Sequence, residues 1–166
     1  MSEEAGSRHP APAASIARDV LTALERRAWS VGTAESLTAG LVVAALVDIP
    51  GASASVRGGI AAYATDVKAS VLGVDRELLD RVGAVDADVA RQMARGARRV
   101  LGADVGIATT GVAGPDAQDG QPVGTVHIAV ATPEREIVET LSLTGGRHDI
   151  RVATVAAALG LCASLL

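Results

Sequence analysis

Aromatic side chains are nearly missing from this chain: Trp29 and Tyr63 are present and phenylalanine is absent. Base-stacking platforms need several aromatic faces, so nucleic-acid binding of that kind is excluded. The formal net charge of -4 points the same way, because a polyanionic partner calls for a basic protein. Cysteine is down to Cys162 alone. That excludes an internal disulfide, fits a reducing cytoplasm, and makes the thiol a small buried hydrophobe. Lysine occurs once, at Lys68; every other strongly basic side chain is arginine. Histidine is limited to His9, His127 and His148, none in a setting that suggests a Ser-His-Asp triad. No Cys, His, Asp or Glu cluster has metal-ligand spacing, so neither a zinc site nor a cofactor is expected. The N-terminus has no apolar signal-peptide core. The uncharged run 152–166 is short for a membrane span and reads as a buried terminal helix.

What the chain does have is aliphatic residues: 49% of it is hydrophobic and 20% charged. At 166 residues this is one globular domain with a core of Ala, Val, Leu and Ile. Residues 1–11 read as a flexible polar tail and 12–166 as the single domain. Pro12 can open a helix, and Ile16, Val20, Leu21, Leu24 and Ala28 recur at helical spacing up to Trp29. A short strand over 30–34 follows, then a helix over 37–47. That helix has no charge, so it is expected to be buried on most sides, in part against another subunit. A small-residue linker, 51–59, leads to a strand over 60–65 and a helical turn over 66–72 that carries Lys68. Asp75 and Asp86 can cap helices that stop at Gly83 and Gly102. Arg91, Arg95, Arg98 and Arg99 on the second of these make a basic stripe that reads as a solvated face. A central strand over 105–109 runs into a polar loop, 110–122. Two strand-like runs joined by 132–135 form a hairpin. A terminal helix is expected over 149–166, starting close to Arg147 and Arg151. The fold class is α/β: a three-layer α/β/α sandwich with a mixed sheet of about five strands.

Ligands in such folds bind at the carboxyl ends of the strands. Three strand-end segments collect the unusual residues. The first is Thr33-Ala34-Glu35-Ser36-Leu37-Thr38-Ala39-Gly40, at a strand end and a helix start. Ser36 there is either a helix N-cap or a nucleophile served by free helix N–H groups. The second holds Tyr63, Thr65 and Lys68. A lone lysine is either a snorkelling surface residue or an amine whose pKa burial lowers into use as a base. The third is Thr110-Gly111-Val112-Ala113-Gly114-Pro115-Asp116. Its glycines permit either a simple turn or close approach to an anion. If the strands are parallel, all three open on one edge. Arg147, after Gly145-Gly146 at a helix start, is either a surface charge or a reader of carboxylate or phosphate.

In order along the chain, Thr33 to Gly40, Tyr63 through Lys68 to Val74, Gly83-Ala84-Val85, Thr110 to Asp116, Pro122 to Val126, and Gly146-Arg147 through Arg151 resemble the CinA C-terminal domain family. Active members of that family are nicotinamide mononucleotide amidohydrolases. The resemblance implies cleavage of the nicotinamide carboxamide to nicotinic acid mononucleotide and ammonia, on a small-molecule nucleotide and without cofactor or metal. It implies Ser36 as nucleophile, Lys68 as general base and Tyr63 as an active-site tyrosine that orients the pair. It also implies Glu35, Thr38, Gly40, Thr65, Thr110, Gly111, Ala113, Gly114 and Arg147 as substrate-binding positions, in a cytoplasmic homo-oligomer with no nucleic-acid or membrane partner. Two positions depart from the family pattern. Ala39-Gly40 stands where Gly-Gly is common, with Ala39 expected to sit comfortably in a helix. Thr65 stands where Asn is common, which removes an amide donor. The alternative is a nucleotide-binding regulatory module with little or no catalysis, the reading that Thr65 would favour.

Overall fold

The computed structural model describes residues 13–166; the expected tail and Pro12 lie outside the described residues. Helix α1 (Ala13–Arg27) leads to β1 (Val31–Glu35), α2 (Leu41–Val47) and β2 (Val56–Ala61). Helices α3 (Thr65–Ser70), α4 (Arg76–Val82) and α5 (Ala87–Leu101) follow. Strands β3 (Val105–Gly111), β4 (Thr125–Ala131) and β5 (Glu136–Ser142) precede α6 (Arg147–Leu165). The sheet runs β2-β1-β3-β4-β5. The first three strands are parallel, and β4 and β5 return antiparallel. This is the expected mixed five-stranded α/β/α sandwich.

Side-chain size differs between the two faces of the sheet. Val31, Val105, Ile107, Val126, Ile128 and Val130 join the core with α1, α2 and α6. Ala34, Ala108, Ala129 and Ala131 face α5. Strand residues alternate sides, so a pattern of large then small residues lets α5 lie close to the sheet. Gly106 shows how close: a Cβ there would sit 2.0 Å from the carbonyl oxygen of Ala94 in α5. Helix α6 buries Ile150, Val155, Ala158, Leu159, Cys162 and Leu165 in the other core, which accounts for the apolar terminal run.

Local signals set several boundaries. Asp75 accepts the N–H of Glu77, and Asp86 accepts those of Asp88 and Val89, as helix caps do. Gly102 ends α5 in the left-handed region. The stripe on α5 is mostly solvated, with Arg95 paired to Glu136 and Arg98 donating to the Thr132 carbonyl.

Four expectations need correction. The helix expected over 37–47 starts at Leu41, after a tight turn over residues 36–40. Ala39 has φ 48° and Gly40 φ 100°, a backbone that cannot belong to a right-handed helix. Ala39 is therefore not a helical residue, and the family's Gly-Gly is explained by two successive left-handed positions. Nor is α2 buried on most sides: it buries Val42 and Leu46, while Val47 is 58% exposed. The strand expected over 60–65 occupies Val56–Ala61, and Thr65 begins α3. Gly58 and Gly59 of the supposed linker pair with β1. A Cβ at Gly59 would meet Thr33 Oγ1 and Val43 within 2.8 Å, so the glycine there serves packing in a strand.

Two substitutions test this account in urea unfolding. Gly106→Ala should destabilise the protein by about 3 kcal/mol or more, since backbone rather than a flexible side chain must move. Ala39→Gly should stabilise it by about 1 kcal/mol, the strain of a left-handed alanine less the extra freedom of unfolded glycine. An unchanged midpoint in either case contradicts the geometry described.

Candidate active site

Strands β1, β2 and β3 run parallel, so the segments after Glu35, Ala61 and Gly111 open on one sheet edge. Ser36 is the first residue past β1. Its N–H still donates to the Thr109 carbonyl at 2.9 Å, so the sheet ladder fixes its backbone. It is 8% exposed. Ser36 is not a helix cap: α2 begins five residues later, with Gly40 at its N-cap.

Glu35 explains the turn. Its buried carboxylate accepts hydrogen bonds from Thr33 Oγ1, Thr38 Oγ1 and the backbone N–H groups of Gly40, Val42 and Val43, all within 2.9 Å. It satisfies the first donors of α2 and folds residues 36–40 back on themselves. Arg151 of α6 holds the turn from outside, donating to the carbonyls of Leu37 at 2.7 Å and Thr38 at 3.3 Å.

Lys68, carried by α3, is 1% exposed. Its Nζ lies 2.9 Å from Ser36 Oγ, 2.8 Å from the Ala62 carbonyl and 3.1 Å from the Tyr63 carbonyl. Burial lowers its pKa from 10.5 to about 8, against an upward pull from the Asp119 carboxylate. The three contacts suit both protonation states. An ammonium donates to all three oxygens. A neutral amine has two N–H bonds and one lone pair, and the two carbonyls can only accept. Its lone pair therefore falls to Ser36, whose hydroxyl can donate.

A cleft opens beside Ser36. Its wall includes Leu37, Tyr63, Ala84, Val85, the run from Thr110 to Gly114, Asp116, Gln118 and Arg147. Arg147, at the start of α6, donates to the Gly114 carbonyl at 2.6 Å and to the Tyr63 hydroxyl at 3.0 Å. The Thr110 hydroxyl donates to the Ala84 carbonyl at 2.6 Å, and Asp119 accepts the Ala84 N–H at 2.8 Å. These two bonds clamp both ends of one wall residue. Among the described residues, the backbone N–H groups of Leu37, Ala113 and Gly114 donate to no protein acceptor. No three Cys, His, Asp or Glu side chains come together as metal ligands among the described residues.

The expected site residues thus divide. Ser36, Lys68, Tyr63, Thr110, Gly111, Ala113, Gly114 and Arg147 meet at the cleft. Glu35 and Thr38 are buried beneath it, bonded to protein, and Gly40 belongs to the turn. They shape the nucleophile's position and do not line the cleft. Thr65 lies outside it as well, in a separate depression with Asp66, Arg76 and Asp80. Tyr63 meets Lys68 through its backbone carbonyl; its ring is 60% exposed and tied to Arg147. Asp116 and Gln118 on the wall had no individual signal in the sequence, and neither had Asp119 and Arg151 behind it, whose partners Ala84 and Leu37 are distant along the chain.

A family model described as the CinA C-terminal domain matches residues 13–166. A CinA-like protein of Frankia casuarinae is 50% identical over 147 residues, covering 89% of this chain and 34% of that protein. The chain thus spans about a third of the length of the curated relatives it matches. Among solved structures, competence/damage inducible protein CihA from Agrobacterium tumefaciens is similar with a TM-score of 0.90 at 38% identity, covering 96% of this chain and 98% of that one. Competence damage-inducible protein A from Klebsiella pneumoniae gives 0.88 at 30% identity, covering 92% and 95%. With the family model running from α1 to the last residue, this chain belongs to the CinA C-terminal domain family.

Proposed function

We propose that this domain is an amidohydrolase that deamidates nicotinamide mononucleotide, with Ser36 as nucleophile and Lys68 as general base. The observation that carries the reading is the buried 2.9 Å contact between Lys68 Nζ and Ser36 Oγ. Serine needs a base to become a nucleophile. This lysine is the group at hand, and its lowered pKa leaves a usable share of free amine near neutral pH.

The steps follow from the contacts. Lys68, neutral and held by the Ala62 and Tyr63 carbonyls, takes the Ser36 proton as Oγ attacks the carboxamide carbon. The oxyanion needs donors in a site shielded from water. The N-terminal N–H groups of α2 are ruled out, because Glu35 holds those of Val42 and Val43, and the Ser36 N–H is bonded to Thr109. The unpaired N–H groups of Leu37 and Ala113 on the cleft wall take that role. Protonated Lys68 then gives its proton to the departing nitrogen, which leaves as ammonia. Water, deprotonated by the same amine, hydrolyses the acyl-serine to the carboxylic acid and restores Ser36. Arg147 at the rim, with donors to spare beyond Gly114 and Tyr63, reads the phosphate.

The alternative of a non-catalytic nucleotide-binding module drew on Thr65, which lies outside the cleft, so no particular observation favours it.

Ammonia release from nicotinamide mononucleotide tests the assignment. Ser36→Ala should lose nearly all activity with its unfolding midpoint little changed; a variant that keeps a tenth of the wild-type rate removes Ser36 as nucleophile. The wild-type rate should rise with pH and reach half its maximum near pH 8, because only the deprotonated amine accepts the serine proton. Lys68→Arg should be as inactive as Lys68→Ala and show no such limb, since a guanidinium stays charged. Substantial turnover by a folded Lys68→Arg protein makes Lys68 an electrostatic anchor and sends the search for the base elsewhere.

A further inference from the structure

Two features of the cleft rim serve neither the Ser36–Lys68 pair nor the fold. One is the Tyr63 ring. An aromatic side chain 60% exposed in a chain with only two aromatics has not been recruited to a core. Its hydroxyl is held by Arg147, which is itself anchored on the Gly114 carbonyl. The ring is therefore positioned by its edge while most of its surface stays uncovered on the cleft wall. The other is Asp116. It lines the same cleft, is exposed, and makes no hydrogen bond or ion pair with any described residue. Arg147, on the same wall, donates to Gly114 and Tyr63 and not to this carboxylate.

We propose that Asp116 and the Tyr63 ring together read a positive charge on the substrate ring, so that the cleft selects an N-substituted pyridinium amide over its neutral dihydropyridine counterpart. The inference rests on the amidase reading above and adds the property by which the ring is chosen. The oxidised and reduced nicotinamide nucleotides are close in size, and both present the carboxamide and the phosphate. They differ in the charge of the ring: a pyridinium nitrogen bonded to ribose is cationic, and the 1,4-dihydro ring is neutral. Contacts to amide and phosphate cannot separate the two. A carboxylate and an aromatic face can, since both are attracted to a cation. Val85, Val112 and Ala113 on the wall lower the local dielectric and strengthen that attraction. The rim thus carries charge of both signs, a guanidinium for the phosphate and a carboxylate for the ring, in keeping with a substrate that is anionic at one end and cationic at the other. The remaining charges at the site are otherwise engaged: Asp119 accepts the Ala84 N–H, and Lys68 is turned toward Ser36.

The test measures binding, because reduction of the ring also changes the intrinsic reactivity of the amide. The Ser36→Ala protein should bind the oxidised mononucleotide about fivefold or more tighter than the dihydro form at pH 8, roughly the worth of one desolvated cation–π or ion contact. Adding Asp116→Asn should lower the ratio at least twofold and leave affinity for the dihydro form within twofold. Tyr63→Leu should lower the ratio in the same direction, while Tyr63→Phe, which keeps the ring and loses only the Arg147 bond, should retain most of it. Asp116 is exposed and unpaired, so loss of folding does not confuse the result. Equal affinities for the two forms overturn the proposal, as does an Asp116→Asn protein that weakens both alike. If wild type releases ammonia from the oxidised nucleotide while the ratio is one, this inference alone fails. If it releases none and neither form binds, the amidase reading fails and takes the inference with it.

Discussion

The active-site corner depends on one buried carboxylate. Glu35 collects five hydrogen bonds in a space that admits no water to the side chain. A buried charge without partners would be prohibitive; five donors make it the fixed point of the corner. Those donors come from β1, from the turn and from α2, so one residue joins three elements. Its removal would orphan the Thr33 hydroxyl and the N–H groups of Gly40, Val42 and Val43 together, while Thr38 would keep only its bond to Thr109. Ser36 stands where it does because the chain must reverse around this carboxylate immediately after leaving the sheet.

That dependence also explains what was legible in advance. Helices α4 and α5 were readable because aspartate caps and stopping glycines act over a few residues. The β4–β5 hairpin was readable for the same reason, from two β-prone runs and a short turn. The turn at 36–40 was not, because an uncharged aliphatic run looks helical until Glu35 is known to bind its donors. Glu35 and Thr38 read as ligand contacts for lack of any sign that they would satisfy each other. Thr110 is a related case: its position at the cleft was legible, but its hydroxyl goes to Ala84, which lies 26 residues earlier. Lys68 was conspicuous through composition, as the single amine side chain in a chain of guanidiniums. Its pairing with Ser36 follows from parallel strands β1 and β2 ending side by side.

The site has a stiff floor and a soft rim. Ser36 is anchored by a sheet hydrogen bond and Lys68 by two backbone carbonyls, so the reacting atoms are held by main chain. Tyr63, Asp116 and Arg147 are exposed and rest on side-chain contacts or none. Rate depends on distances at the floor, where small displacements are costly. Recognition belongs to the rim, which can change without disturbing the floor. On the proposed amidase reading, substitutions at the rim should therefore alter which amide is accepted, whereas those around Glu35 should alter whether any is hydrolysed.

The burial of Lys68 has a practical side. Acylating reagents are attacked by the lone pair of a neutral amine, and here the side chain is 1% exposed with its nitrogen enclosed by three oxygens. No other side chain in these 166 residues carries an amine. Amine reagents on the folded domain should thus leave Lys68 unmodified, and its acylation reports the opening of the corner that encloses it.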